Sequence, residues 1–157
     1  MRGVLPAIGI AAALAVSAPS GAAFGQEPGL VPGADVWTYN PRALSAYVSP
    51  AHGLSLTIAC DVDALRIYLF SDAARGPGGA EGVVTARFAV GEATSDVVLR
   101  RDGRYFSGVE RISEASPLVA ALAGEGSVSV VVGDTDAGTF PLDGAGAALR
   151  GLVADCG

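Results

Sequence analysis

Two cysteines, Cys60 and Cys156, stand 96 positions apart in a chain of 157 residues, and there are no others. If they bond, the end of the chain must return to a strand near the start of the folded part. Whether they bond depends on the compartment. Met1-Arg2 opens the chain, Val4 to Ala18 is mostly apolar, and Pro19-Ser20-Gly21-Ala22-Ala23 is a run of small residues. A basic start, a short apolar stretch and a small-residue zone make a secretory signal peptide. We expect residues 1–25 to be removed by cleavage before Gln26, with a cut after Ala22 as the alternative. The apolar run is shorter than the roughly 20 residues a membrane anchor needs. No membrane insertion is therefore expected after cleavage. An even cysteine count in an exported chain points to a disulfide. Closing a loop of this length stabilises a fold by about 4–5 kcal/mol in the chain-entropy picture, a large share of the roughly 5–15 kcal/mol typical of a domain.

Between the cysteines the apolar pattern alternates with period 2, the mark of half-buried strands. Leu54, Leu56, Ile58, Cys60 and Val62 form one such series, and Leu65, Ile67 and Leu69 form the next. A two-residue turn at Asp63-Ala64 would set Cys60 opposite Ile67 and Ile58 opposite Leu69. Val84, Ala86, Phe88 and Val90 make a third inward face. Asp102-Gly103 is a hairpin signal, expected to pair Leu99 with Phe106, Arg100 with Tyr105 and Arg101 with Arg104. Ser116 and Pro117 open a short helix as N-cap and first residue. Val128, Val130 and Val132 alternate again, Gly133 to Gly138 reads as a turn, and Thr139 to Leu142 as a strand. Asp143 is expected to cap a last helix whose apolar stripe runs Ala148, Leu149, Leu152, Val153, Cys156. The expected fold is mainly β (a β-rich α+β domain): six or seven strands in a single antiparallel sheet or sandwich over residues 54–157. It carries a short mid-chain helix, and a C-terminal helix tied to the first core strand by the disulfide. Residues 26–53, rich in Pro and Gly, are expected to be an irregular N-terminal arm, with Trp37 and Tyr39 on one face of a short edge strand.

The tail Phe140-Pro141-Leu142-Asp143-Gly144, followed by Ala148-Leu149, Leu152 and Cys156, and the early Leu56-Thr57-Ile58-Ala59-Cys60 strand resemble small exported bacterial proteins of the type VI secretion-associated VasI-type family. The likeness covers residues 54–157. It implies a β-rich domain with a C-terminal helix and carries over no catalytic residue; Arg87 fits an arginine common on the family's third strand. The invasion-associated locus B type of exported domain is a second likeness, with different cysteine placement.

Charge and chemistry narrow the function. Ten Lys+Arg, all arginine, against 16 Asp+Glu give a net charge of -6. A nucleic-acid partner is not expected, because phosphate contacts need a basic surface. His52 is the only histidine, and no Gly-x-Ser-x-Gly elbow accompanies it. Asp134-Thr135-Asp136-Ala137-Gly138 is only the start of a calcium loop, since Pro141 and Leu142 follow where oxygen ligands are required. Asp102, Glu110 and Glu114 are carboxylates of the kind glycosidases pair, in a chain with many. No cofactor, metal or catalytic residue is expected. Arg100, Arg101, Arg104 and Tyr105 stand out, because Arg and Tyr dominate binding hot spots. The expectation is a non-enzymatic, periplasmic or secreted module of the cell envelope that binds a protein partner through that hairpin. A hydrolase inhibitor and a subunit of an envelope or secretion assembly are the alternatives, with a small hydrolase using His52 the remotest.

Overall fold

The computed structural model describes residues 34–62, 64–74, 81–102 and 105–156. The expected signal segment 1–25, the stretch 26–33 and Arg104 lie outside the described residues.

The supposed arm is not irregular over residues 34–53. It folds as β1 (Ala34–Asn40) and β2 (Ser45–Ala51). Ala46 and Val48 alternate with Ser45, Tyr47 and Ser49, which supplies a strand's inward face. The prolines that argued against strands sit where their missing N–H groups do no harm. Pro41 is in the turn, and Pro50 is where the β2 register shifts against its neighbour.

β3 (Leu54–Cys60) and β4 (Leu65–Ser71) form the expected hairpin in a different register. Cys60 faces Leu65, Ile58 faces Ile67 and Leu56 faces Leu69. The connection has four residues rather than two, with the Asp61 N–H donating to the Ala64 carbonyl at 2.7 Å. Val62 leaves the strand altogether, at φ +47° and 70% exposed. The slip is by two positions, so every side chain keeps its face.

β5 (Gly82–Val90), β6 (Ala93–Asp102) and β7 (Tyr105–Gly108) follow, then α1 (Pro117–Leu122), β8 (Ser127–Val132), β9 (Thr135–Pro141) and α2 (Ala145–Cys156). Ser116 caps α1 by accepting from the Leu118 N–H, and Pro117 opens it, as expected. The long turn expected at 133–138 is in fact short: Thr135 already pairs with Val132. A bulge hides this from the periodicity, since Val131 pairs with Asp136 and Val130 with Gly138, leaving Ala137 over. Gly138 lies at φ +125°, and a Cβ there would come within 2.8 Å of Leu54. Only glycine fits both the backbone and the space.

Among the described residues nine strands join one antiparallel sheet in the order β1-β2-β3-β4-β7-β6-β5-β8-β9. The sheet coils until β9 returns against β1, β2 and β3. Side chains satisfy the outer edge of β9 there. Ser71 Oγ donates to the Ala137 carbonyl at 2.7 Å, and Trp37 Nε1 donates to the Pro141 carbonyl at 2.8 Å. The Trp37 N–H also donates to the Asp143 carbonyl. That carbonyl serves β1, and α2 begins at Ala145, one residue beyond Gly144 at φ +75°. Ala145, Ala148, Leu149 and Leu152 bury the inner stripe of α2 in the same core as Phe88, Phe106 and Phe140. α2 packs against β1, β2, β3 and α1. The Cys60–Cys156 disulfide ties its end to β3, with Cα atoms 5.6 Å apart. Among the described residues no helix is long and apolar enough to cross a membrane.

Candidate functional site

β4, β7 and β6 lie side by side, and their alternate residues build a patch on the sheet's outer face. Tyr68 faces Ser107, and Ser107 faces Arg100. One step up, Phe70 faces Tyr105 and Tyr105 faces Asp102. The Phe70 and Tyr105 rings pack with centroids 5.3 Å apart. Tyr68 is 37% exposed, and Val83, paired to Arg100 across β5 and β6, is 62% exposed. Buried on the other side of the same strands are Leu69, Phe106 and Leu99. One face of the sheet thus presents aromatic rings, an arginine and an aliphatic side chain to solvent.

The cations around this patch differ in their engagement. Arg66 binds Asp61 at 2.6 Å and donates to the Gly108 carbonyl. Arg87 forms a two-pronged pair with Asp96, which holds that carboxyl below the usual carboxylate range. Arg100 is exposed and makes no hydrogen bond or ion pair among the described residues.

Of the hairpin residues singled out from sequence, Arg100 and Tyr105 share the outer face, as expected. Arg101 does not sit opposite Arg104. It pairs with Phe106, because the β6–β7 ladder runs on to Asp102 and Tyr105. By alternation it then falls on the core side with Leu99. Its guanidinium lies 5.0 Å from the Phe106 ring centre and donates to the Ala74 carbonyl at 2.8 Å. Arg101 is therefore a structural clamp on the turn after β4.

The other constellations stay apart or are otherwise occupied. His52 is exposed in the β2–β3 turn, at the rim of a hollow of about 100 Å³ with Ser49, Ser55 and Phe70. Ser49 Oγ donates to the Leu54 carbonyl at 3.2 Å. Asp136 turns onto its own strand and accepts from the Gly138 N–H. No group of three or more His, Cys, Asp or Glu able to hold a metal ion is found among the described residues. Asp102 ends β6, whereas Glu110 follows Val109, whose N–H reaches Val98. Four strand residues separate those backbone levels, roughly 13 Å.

Tyr68 and Phe70 were not singled out from sequence as binding residues. The signal was present, since in Leu65-Arg66-Ile67-Tyr68-Leu69-Phe70 the inward Leu and Ile residues leave Arg66, Tyr68 and Phe70 outward. Compared with known proteins, the chain matches no family model, no curated protein and no solved structure.

Proposed function

We propose that this chain is an exported, non-enzymatic module of the bacterial cell envelope that binds a protein partner through the outer face of β4, β7 and β6. The observation that carries this reading is the patch of Tyr68, Phe70, Tyr105 and Arg100 on one sheet face, with Arg100 in no hydrogen bond or ion pair among the described residues. Aromatic and arginine side chains supply most of the energy at protein interfaces. Arg100 offers a partner's carboxylate a charged hydrogen bond. Export is supported by the signal-like first 25 residues and by a disulfide, which persists in oxidising compartments. The mature chain then works in the periplasm or outside the cell.

The test is capture from native periplasm by the mature chain, compared with capture by Tyr68→Ser and Arg100→Ala. Both side chains are off the core, so both variants should keep the wild-type melting temperature. One protein retained by wild type and lost by both variants supports the reading. Equal retention by all three moves the binding face elsewhere.

A further inference from the structure

β6 is ten residues long, but β7 covers only its last four, Leu99 to Asp102. Below them a single hydrogen bond continues the ladder, from the Val109 N–H to the Val98 carbonyl. The chain then leaves β6 for β4, where Ile112 and Leu65 exchange backbone hydrogen bonds. Backbone groups in an antiparallel strand point alternately to the two sides. Since Val98 points toward the β7 side, so do Asp96 and Thr94, and neither has a backbone partner there among the described residues. Residues 93–97 thus form an open strand edge, an established template for pairing with another chain.

Charge selects what can pair. Glu92 lies at one end of the edge and Glu110 at the other. Both are exposed, and neither forms an ion pair among the described residues. Asp96 projects from the middle, shared with Arg87. A second copy of this chain would set the same acids against each other, which disfavours β6-to-β6 pairing. Toward the core side Val97 is half-buried and packs against the core cluster. We propose that the 93–97 edge of β6 accepts an extended segment of another protein by strand addition, and that the segment alternates basic with aliphatic side chains. Main-chain bonds to Thr94 and Asp96 give affinity, and side-chain alternation gives specificity. The basic residues meet Glu92, Asp96 and Glu110, and the aliphatic ones extend the Val97 side. This surface is separate from the Tyr68–Arg100 patch and stands or falls without it.

The probe is the acetylated, amidated peptide Lys-Val-Lys-Val-Lys-Val-Lys, titrated into the isotope-labelled chain at low salt. Its Glu-Val counterpart is the control. The expected result is saturable binding of the basic peptide only, weakened by salt, with new exchange protection at the Thr94 and Asp96 amides. Thr94→Pro removes an outward N–H without touching the β5 ladder, and should weaken binding at least tenfold. Should that variant fold poorly, Glu92→Gln with Glu110→Gln leaves the backbone intact and should weaken binding about fivefold, as a pair of exposed charge contacts would. Equal binding of the two peptides, or protection at Tyr68 and Tyr105 instead of Thr94, would overturn the proposal. So would a concentration-dependent dimer that protects Thr94 with no peptide present.

Discussion

Arg101 and Arg100 are neighbours of the same type, yet the fold gives them opposite work, and a pair of alanine variants measures the difference. The Arg101 guanidinium donates to the Ala74 carbonyl at 2.8 Å, and Ala74 itself is buried. A hydrogen bond from a charged donor contributes about 1.5–3 kcal/mol, and removing it strands the carbonyl. The cation over the Phe106 ring at 5.0 Å adds about 0.5–1 kcal/mol, and the aliphatic stem is also half-buried. These contributions overlap, so Arg101→Ala should cost about 2–3 kcal/mol in all, within the range for a broken buried polar contact. Arg100→Ala removes an exposed side chain with no partner among the described residues and should stay within about 0.5 kcal/mol of wild type. Urea unfolding of the oxidised chain, followed by Trp37 fluorescence, gives both values from midpoints at a common slope. Arg101→Met keeps the stem and should recover part of the loss. If Arg101→Ala is as stable as Arg100→Ala, Arg101 lies outside the core face and the Arg101–Phe106 register is refuted.

Further outcomes follow from other sites. Reduction of Cys60–Cys156 should lower stability by up to about 4–5 kcal/mol, seen as a lower urea midpoint with reductant. Without reductant, denatured protein should show no labelled thiol. Val62 is β-branched, exposed and at φ +47°, so Val62→Asn should raise stability by about 0.5–1 kcal/mol, because Asn tolerates the left-handed region; a lower melting temperature would contradict this. Gly138→Ala should cost at least about 2 kcal/mol, from the positive φ and the clash with Leu54; calorimetry decides it. Tyr39 donates a hydrogen bond to Asp155, which with some desolvation pushes its phenol up to about 12. A group whose folded pKa is raised stabilises the fold below its unfolded value and loses that contribution above it. The Tyr39–Asp155 contribution should therefore be intact below pH 10 and fade between pH 10 and 12. In ultraviolet titration, Tyr39→Phe should remove one phenol that titrates above pH 10.

Much of this architecture was legible from side-chain period alone. Leu56/Ile58, Ile67/Leu69, Ala86/Phe88 and Val128/Val130 alternate without interruption, and each segment is a strand with those residues inside. The Ser116-Pro117 start and the Ala148-Leu149-Leu152 stripe were equally readable, because capping and helical faces are local properties. Connections were less readable. Two-residue turns at 63–64 and 102–103 put both hairpins two positions out of register. At the first, the Asp61–Ala64 bond and the grip of Arg66 on Asp61 favour a longer loop, and neither is visible in a turn dipeptide. The slip cost nothing in side-chain facing, because two positions is one full strand period.

What no local pattern contains is how the sheet ends are held. Ser71 reaches a carbonyl 66 residues away and Trp37 one 104 residues away. The first of these acceptors, Ala137, is the residue left over at the β9 bulge that broke the expected alternation. The Pro and Gly content of residues 26–53 likewise hid β2, whose Ser45 and Ser49 are polar yet buried on the side of the sheet away from Ala46 and Val48. The candidate face combines a readable part and a hidden part. Alternation alone sends Tyr68, Phe70, Arg100 and Tyr105 outward, and it also sends Arg101 inward with Leu99, a consequence that the charge of arginine obscured. The strand order that sets β4 beside β7 is long-range. Without it Tyr68 and Arg100 are residues of two unrelated hairpins; with it they stand on one surface, separated by a single serine. The open edge of β6 has the same origin. A ten-residue strand beside a four-residue one leaves unpaired backbone, and only the departure of residues 109–112 toward β4 decides that nothing in the described chain fills it.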